Sequence, residues 1–213
     1  MASIRNCTGP LAVLLSLPFL LGADQKAKTE NGREVILHDD GTWTYLKAPK
    51  PDKKTGAGNE FKKDKQAVLQ YKSRRGTFAL HLIPGAWRKA DKPVNPSAEV
   101  QFTHADGDVM AMVIAERITM PLDTLKEAAI AHWKRGDNDV KVTRDEKRVV
   151  NGKEVLALTA EINMKGIAMT FYCYYYSGAE GSIQLLTWTG RNLFKEMEPD
   201  MEAFLNGFEV LKK

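Results

Sequence analysis

From Val150 to Thr189 the chain reads as three successive strand-like runs rich in β-branched and aromatic residues. They are separated by Asn151-Gly152, Lys165-Gly166 and the Gly178–Gly181 stretch. Asn-Gly and other Gly dipeptides tolerate the positive φ of tight hairpin turns, so this pattern predicts an antiparallel meander that forms one broad sheet. Upstream, 68–72 and 76–82 read as strands, and Ile83-Pro84-Gly85-Ala86-Trp87 as a turn that presents a Trp. In 99–104 the alternation sends Val100 and Phe102 inward. Asp106-Gly107 turns into 108–116, which is apolar on both faces and therefore expected near the centre of the sheet.

Two stretches change period. Leu122, Leu125, Ala129 and Trp133 fall at helical spacing, with Thr124-x-x-Glu127 as a capping box at the start and Gly136 as the stop. Near the end, Leu193, Met197, Met201 and Leu205 form an apolar stripe. Pro199 suits a first turn, which predicts two short helices with the second starting near Glu198. Gly207 ends that stripe, and Phe208, Val210 and Leu211 return to the core.

A miniature version of the strand pattern occupies residues 26–45, where Asn31-Gly32 and Asp39-Asp40-Gly41 separate three short runs. Val35 and Leu37 share a face there, with Trp43 and Tyr45 placed to pack across strands. So small a unit cannot bury enough surface to be stable alone.

The first 23 residues stand outside the fold. A single Arg5 precedes an eleven-residue apolar run, Leu11–Leu21, and Gly22-Ala23 follow. This describes a secretory signal peptide cleaved after Gly22 or Ala23, because a membrane-spanning helix needs about 20 apolar residues. A retained N-terminal anchor is the rival reading. The expected location is periplasmic or secreted. Cleavage also removes Cys7 and leaves Cys173 alone, a small buried apolar residue that shares a face with Met169, Phe171 and Tyr175.

Charge then settles the partner class. Residues 47–65 hold seven lysines against three acids, with two prolines and two glycines, and read as a flexible linker of net charge +4. Because the exported chain carries +3, the folded remainder is close to neutral, so the basic balance belongs to a tether and no nucleic-acid groove is implied. Contact of the Lys47–Lys65 tether with an anionic surface is the electrostatic alternative to a plain spacer. The organisation is therefore 1–23 signal peptide, 24–46 small β module, 47–65 linker and 66–213 main domain.

The order strand, strand, P-G-x-W, hairpin, helix, meander, terminal helix and final Phe-x-Val resembles the Mog1/PsbP-like fold across residues 66–213. The features carrying it are 78–87, 99–116, 122–133, the meander and 204–210. The resemblance implies an α+β domain, a twisted antiparallel sheet with helices packed on its faces, here preceded by a three-stranded β meander. Its members are photosystem accessory proteins, a nuclear-transport factor and bacterial envelope proteins of the DcrB-like kind, which share no site. The 31–45 segment also resembles short N-terminal segments of bacterial exported proteins.

Chemistry is sparse. His104-Ala-Asp106-Gly107-Asp108 fits a hairpin turn with its polar side chains in water, and His38-Asp39-Asp40 fits the same explanation. His81 and His132 have no partner at ligand spacing, and no zinc, phosphate-loop, dinucleotide or nucleophile-elbow motif occurs. No catalytic residue, metal ligand or cofactor is expected. The most suggestive group is Tyr172, Tyr174 and Tyr176 on one strand face, with Trp188 beside them on the next strand. Exposed, these would form an aromatic binding platform; covered by a helix, they would be core with hydroxyls at the rim. The sequence reading is a non-catalytic envelope binding or accessory protein with a protein partner. A hydrolase with a dispersed site and a structural component of an assembly are the alternatives.

Overall fold

The computed structural model describes residues 25–28, 34–37, 43–45, 60–136 and 139–211. The proposed signal peptide, the turns at 31–32 and 38–41, and linker residues 47–59 lie outside the described residues. Three short strands come first: β1 (Gln25–Lys28), β2 (Glu34–Leu37) and β3 (Trp43–Tyr45). They form the expected antiparallel meander, with Val35 opposite Tyr45 and Leu37 opposite Trp43. Ala27 of β1 packs against the main core.

In the main domain the order is β4 (Glu60–Phe61), β5 (Leu69–Lys72), β6 (Phe78–Leu82), β7 (Trp87–Lys89), β8 (Val100–His104), β9 (Met110–Glu116), α1 (Leu122–Lys134), β10 (Lys141–Val150), β11 (Lys153–Met164), β12 (Ile167–Gly178), β13 (Gly181–Gly190), α2 (Phe194–Asn206) and β14 (Phe208–Val210). Eight of these strands make one sheet in the order β4-β10-β11-β12-β13-β9-β8-β7. Every pairing in it is antiparallel except the two-residue β4, which runs parallel to the end of β10.

The meander turns form as their residue types require. Asn151 and Gly152 have φ of 48° and 76°, and Lys165 and Gly166 have 52° and 85°, the paired positive values of a two-residue hairpin loop. Asn151 also ties its surroundings together: its side-chain amide donates to the carbonyls of Asn206 (2.8 Å) and Phe208 (2.7 Å), and its Oδ1 accepts from the Lys63 N–H.

Three expectations need correction. β5, β6 and β14 leave the broad sheet and form a second one, ordered β14-β6-β5. Gly207 makes this possible: its carbonyl accepts from the His81 N–H at 2.8 Å, and a Cβ there would stand 2.1 Å from the His81 carbonyl oxygen. α1 is capped by Pro121 without a side-chain hydrogen bond, so Thr124 lies inside the helix and forms no capping box. α2 is one helix that carries Pro199 within it, because burial of Met197, Met201, Phe204 and Leu205 on one stripe outweighs the hydrogen bond that proline removes.

The two helices lie on opposite faces of the large sheet. α2 and the small sheet close the main core, which holds Phe78, Phe102, Tyr172, Tyr174, Met201 and Phe208. α1 closes a second core over β11 and β12 with Leu125, Trp133, Leu158, Ile162, Cys173 and Tyr175. No helix among the described residues is long and apolar enough to cross a membrane.

Candidate functional site

The register of the β12–β13 hairpin decides which aromatic residues stand together. Gly178 pairs with Gly181 across a two-residue loop, so every odd residue of β12 faces an even residue of β13. Trp188 is therefore directly opposite Phe171, and Tyr172 is opposite Thr187. The sequence expectation placed Trp188 beside the tyrosines. The structure places it on the other face, because the two-residue loop sets the even Trp188 opposite the odd Phe171.

The tyrosine face is covered. Tyr172 and Tyr174 are fully buried and Tyr176 is 5% exposed beneath α2 and the small sheet. Their hydroxyls reach a polar rim. Tyr172 donates to Glu202 Oε1 (3.1 Å), Tyr174 to Asn206 Oδ1 (3.0 Å) and Tyr176 to Glu180 Oε2 (2.6 Å). Burial pushes all three phenols above their ordinary range, and the neighbouring Tyr174 and Glu202 push Tyr172 further.

Arg148 organises this rim, and nothing in the sequence pattern marked it beyond a charged residue at an inward position of β10. Its Nη1 donates to Tyr172 Oη (2.7 Å), Tyr174 Oη (3.0 Å) and Glu202 Oε1 (2.7 Å), and its Nε donates to Glu146 Oε1 (2.6 Å). The Phe61 ring lies against the guanidinium at 4.2 Å. Burial works to lower the Arg148 pKa and is outweighed by the two tyrosines and Glu202, which leave it above its ordinary value. With its donors taken up inside the fold, this cluster is structural: it lets α2 sit on a sheet that carries a buried charge.

His104 and Asp106 are not in water as turn chemistry alone suggests, whereas His132 is exposed. His104 and Asp106 are both largely buried, with Nδ1 and Oδ2 3.4 Å apart, and the His104 ring meets Trp87 edge-on at 5.1 Å. Gly107, at φ 86°, still makes the turn. His81 Nε2 lies 2.5 Å from Glu209 Oε2, and Lys63 Nζ approaches the same ring at 3.3 Å. Among the described residues no group of three or more His, Cys, Asp or Glu side chains is arranged to hold a metal ion.

The outer face of the sheet differs from the inner one. Its cross-strand rows follow from pairing: Arg88, Thr103, Met110, Trp188, Phe171 and Ala160 form one row from β7 to β11, and Gln101, Met112, Leu186, Cys173 and Leu158 form the next. α1 buries the β11–β12 half of these rows. Over β13 and β9, Trp188, Leu186, Met110, Met112 and Ile114 stay half-buried, and apart from Leu186 they belong to neither core. The Trp188 and Phe171 rings stack at 5.8 Å and 19°, and Phe171 touches Trp133 of α1 at 5.6 Å. The face continues through Met169 to the exposed Ile167. It is an apolar strip rich in methionine and aromatic carbon, the kind of adaptable surface that accepts a partner.

Comparison with protein-family models finds no match, and comparison with curated proteins finds none either. Solved structures do match. The solution structure of cyanobacterial PsbP (CyanoP) from Synechocystis sp. PCC 6803 is similar over 67% of this chain and 91% of that one, with TM-score 0.53 and 15% identity. LpqN of Mycobacterium tuberculosis, described as involved in cell envelope biogenesis, aligns over 68% of this chain and 90% of its own at TM-score 0.42 and 10% identity. A Bacteroides thetaiotaomicron protein aligns over 68% of this chain and 48% of its own at TM-score 0.43 and 11% identity.

Proposed function

The main part of the chain has a Mog1/PsbP-like fold, and on that scaffold we propose a non-catalytic binding or accessory protein of the bacterial cell envelope. The observation that carries the reading is the half-buried strip of Trp188, Met110, Met112 and Ile114, which neither helix covers. A contiguous apolar strip rimmed by polar residues is the kind of surface at which proteins meet partners. The location is supported by the apolar run 11–21 with its small-residue exit, read as an export signal. The fold itself brings no activity, since proteins sharing it need share no site.

The test is affinity capture from envelope extract with the wild-type protein and with Met112→Glu, each checked for an unchanged melting transition. The reading expects a captured protein that the variant loses; identical capture by both, or recovery of the protein in the cytoplasmic fraction, counts against it.

A hydrolase is the second reading, favoured by the buried His104–Asp106 pair. It requires hydrolysis of an aryl ester or peptide by pure protein that His104→Gln removes while the fold persists.

A further inference from the structure

The uncovered strip has the dimensions of one missing helix. Strands lie about 4.8 Å apart and packed helices 8–10 Å apart. α1 packs over β11 and β12. A helix laid alongside it therefore centres two strands further on, over the seam of β13 and β9, where Met110, Met112, Leu186 and Trp188 stand. The seven residues of β9 span about 20 Å, the length of about 13 helical residues, and α1 itself has 13 residues.

Two walls bound this slot. Lys126 reaches Asp145 of β10 at 3.2 Å, which fixes one flank of α1 toward β10. At 100° per residue Ala128 and His132, both exposed, fall on the other flank of the buried Leu125–Trp133 stripe, the side toward β13, and the exposed Arg135 follows at the helix end. On the far side, the segment between β7 and β8 leans over the sheet: Val94 N–H donates to Gln101 Oε1 (3.0 Å), and Asn95 Nδ2 approaches Met112 Sδ (3.9 Å).

The charges around the slot choose the occupant. Arg88 ends the Trp188 row, Lys92 lies on the β7–β8 segment, Arg117 follows β9 and Arg135 ends α1, all exposed, against Asp91 on that segment and Glu116 at one end. A second copy would bring like charges together. A flat anionic membrane cannot reach a floor recessed by the thickness of α1, about 10 Å. We infer that the slot between α1 and the β7–β8 segment binds an amphipathic helix of about 13 residues whose apolar stripe is flanked by acidic side chains, supplied by a partner protein. This rests on the binding reading above and names its partner class.

The test uses the protein with ¹³C-labelled methionine methyls and three probes: a 14-residue helical peptide with a leucine stripe flanked by Glu, the same peptide flanked by Lys, and phosphatidylglycerol vesicles. The Glu-flanked peptide is expected to shift the Met110 and Met112 methyl signals, to bind at least tenfold more tightly than the Lys-flanked one, and to lose binding in Met112→Glu. Arg88→Glu with Arg135→Glu, which leaves the floor intact, should reverse the preference. Equal affinity for both peptides, no shift at Met110 and Met112, the same shift with vesicles alone, or a concentration-dependent shift without peptide each overturns it. If the Glu-flanked peptide fails while envelope capture still depends on Met112, the helix inference falls and the binding reading stands. If capture is indifferent to Met112, both fall.

Discussion

Trp188 and Phe171 face each other across the β12–β13 ladder with rings stacked at 5.8 Å, and only the Phe171 side of the stack is roofed by Trp133 of α1. One aromatic pair thus marks the border between covered and uncovered sheet. Phe171→Ala is expected to cost about 3 kcal/mol, since it also empties a contact with α1, whereas Trp188→Ala should cost about 1 kcal/mol. Urea unfolding of the two variants measures the difference; equal losses would mean that Trp188 is as much a part of the core as Phe171.

Arg148 is the buried charge on which α2 rests. Arg148→Ala takes the charged donor from two tyrosine hydroxyls and leaves Glu202 with the Tyr172 hydroxyl alone, and should cost about 3–5 kcal/mol. Glu146→Gln should cost less than about 1 kcal/mol, because that carboxylate is half exposed and solvent replaces the pair. Chemical denaturation separates the two cases.

Gly207 is required for close approach and not for its φ, which is −69°. Gly207→Ala drives a methyl onto the His81 carbonyl and should loosen β14, with a loss above about 2 kcal/mol. Gly136→Ala, where a Cβ meets only the Trp133 carbonyl at 3.6 Å, should stay within about 0.5 kcal/mol. Amide exchange at Phe208 and Val210 reports the loosening directly.

Alkaline pH should unfold the chain cooperatively. Burial, with Glu99 alongside, pushes Tyr71 up to about 12, and burial raises Tyr172, Tyr174, Tyr175 and Tyr176 as well. Phenols with a folded pKa above their unfolded value of about 10 bind more protons folded than unfolded. Their contribution to stability is therefore present below about pH 10 and is lost as pH rises through the folded values. Absorbance at 295 nm and far-UV circular dichroism should change together above pH 10. More than one phenolate per chain appearing near pH 10 while the dichroism persists would contradict the burial of these five among the six tyrosines. Burial also pushes the Cys173 thiol up to about 12, so a thiol reagent should modify it only as fast as the protein unfolds.

Much of this fold could be read from local pattern. Asn151-Gly152 and Lys165-Gly166 announce their hairpins because few dipeptides accept two positive φ values, and α1 follows from its apolar spacing. What local pattern does not carry is pairing. Whether Trp188 joins Tyr172 or Phe171 depends on one residue of loop length, and whether β6 joins the large sheet depends on how closely Gly207 lets β14 approach. Arg148 has no local signature for a related reason: a charge in the largely polar run of β10 reads as solvated until α2 is laid over it. The outer strip has no local signature because its methionines look like ordinary core residues; only the position of α1 shows that they are left half bare.

The central claim is that the β13–β9 outer face is where this protein meets another. A photo-crosslinking residue placed at Met112 in the cellular protein tests it most directly, with the same residue at Glu209, on the small sheet, as the control. The account predicts one discrete protein adduct from position 112 and none from 209, suppressed by Trp188→Ala. No adduct from 112, or the same adducts from both positions, would contradict it.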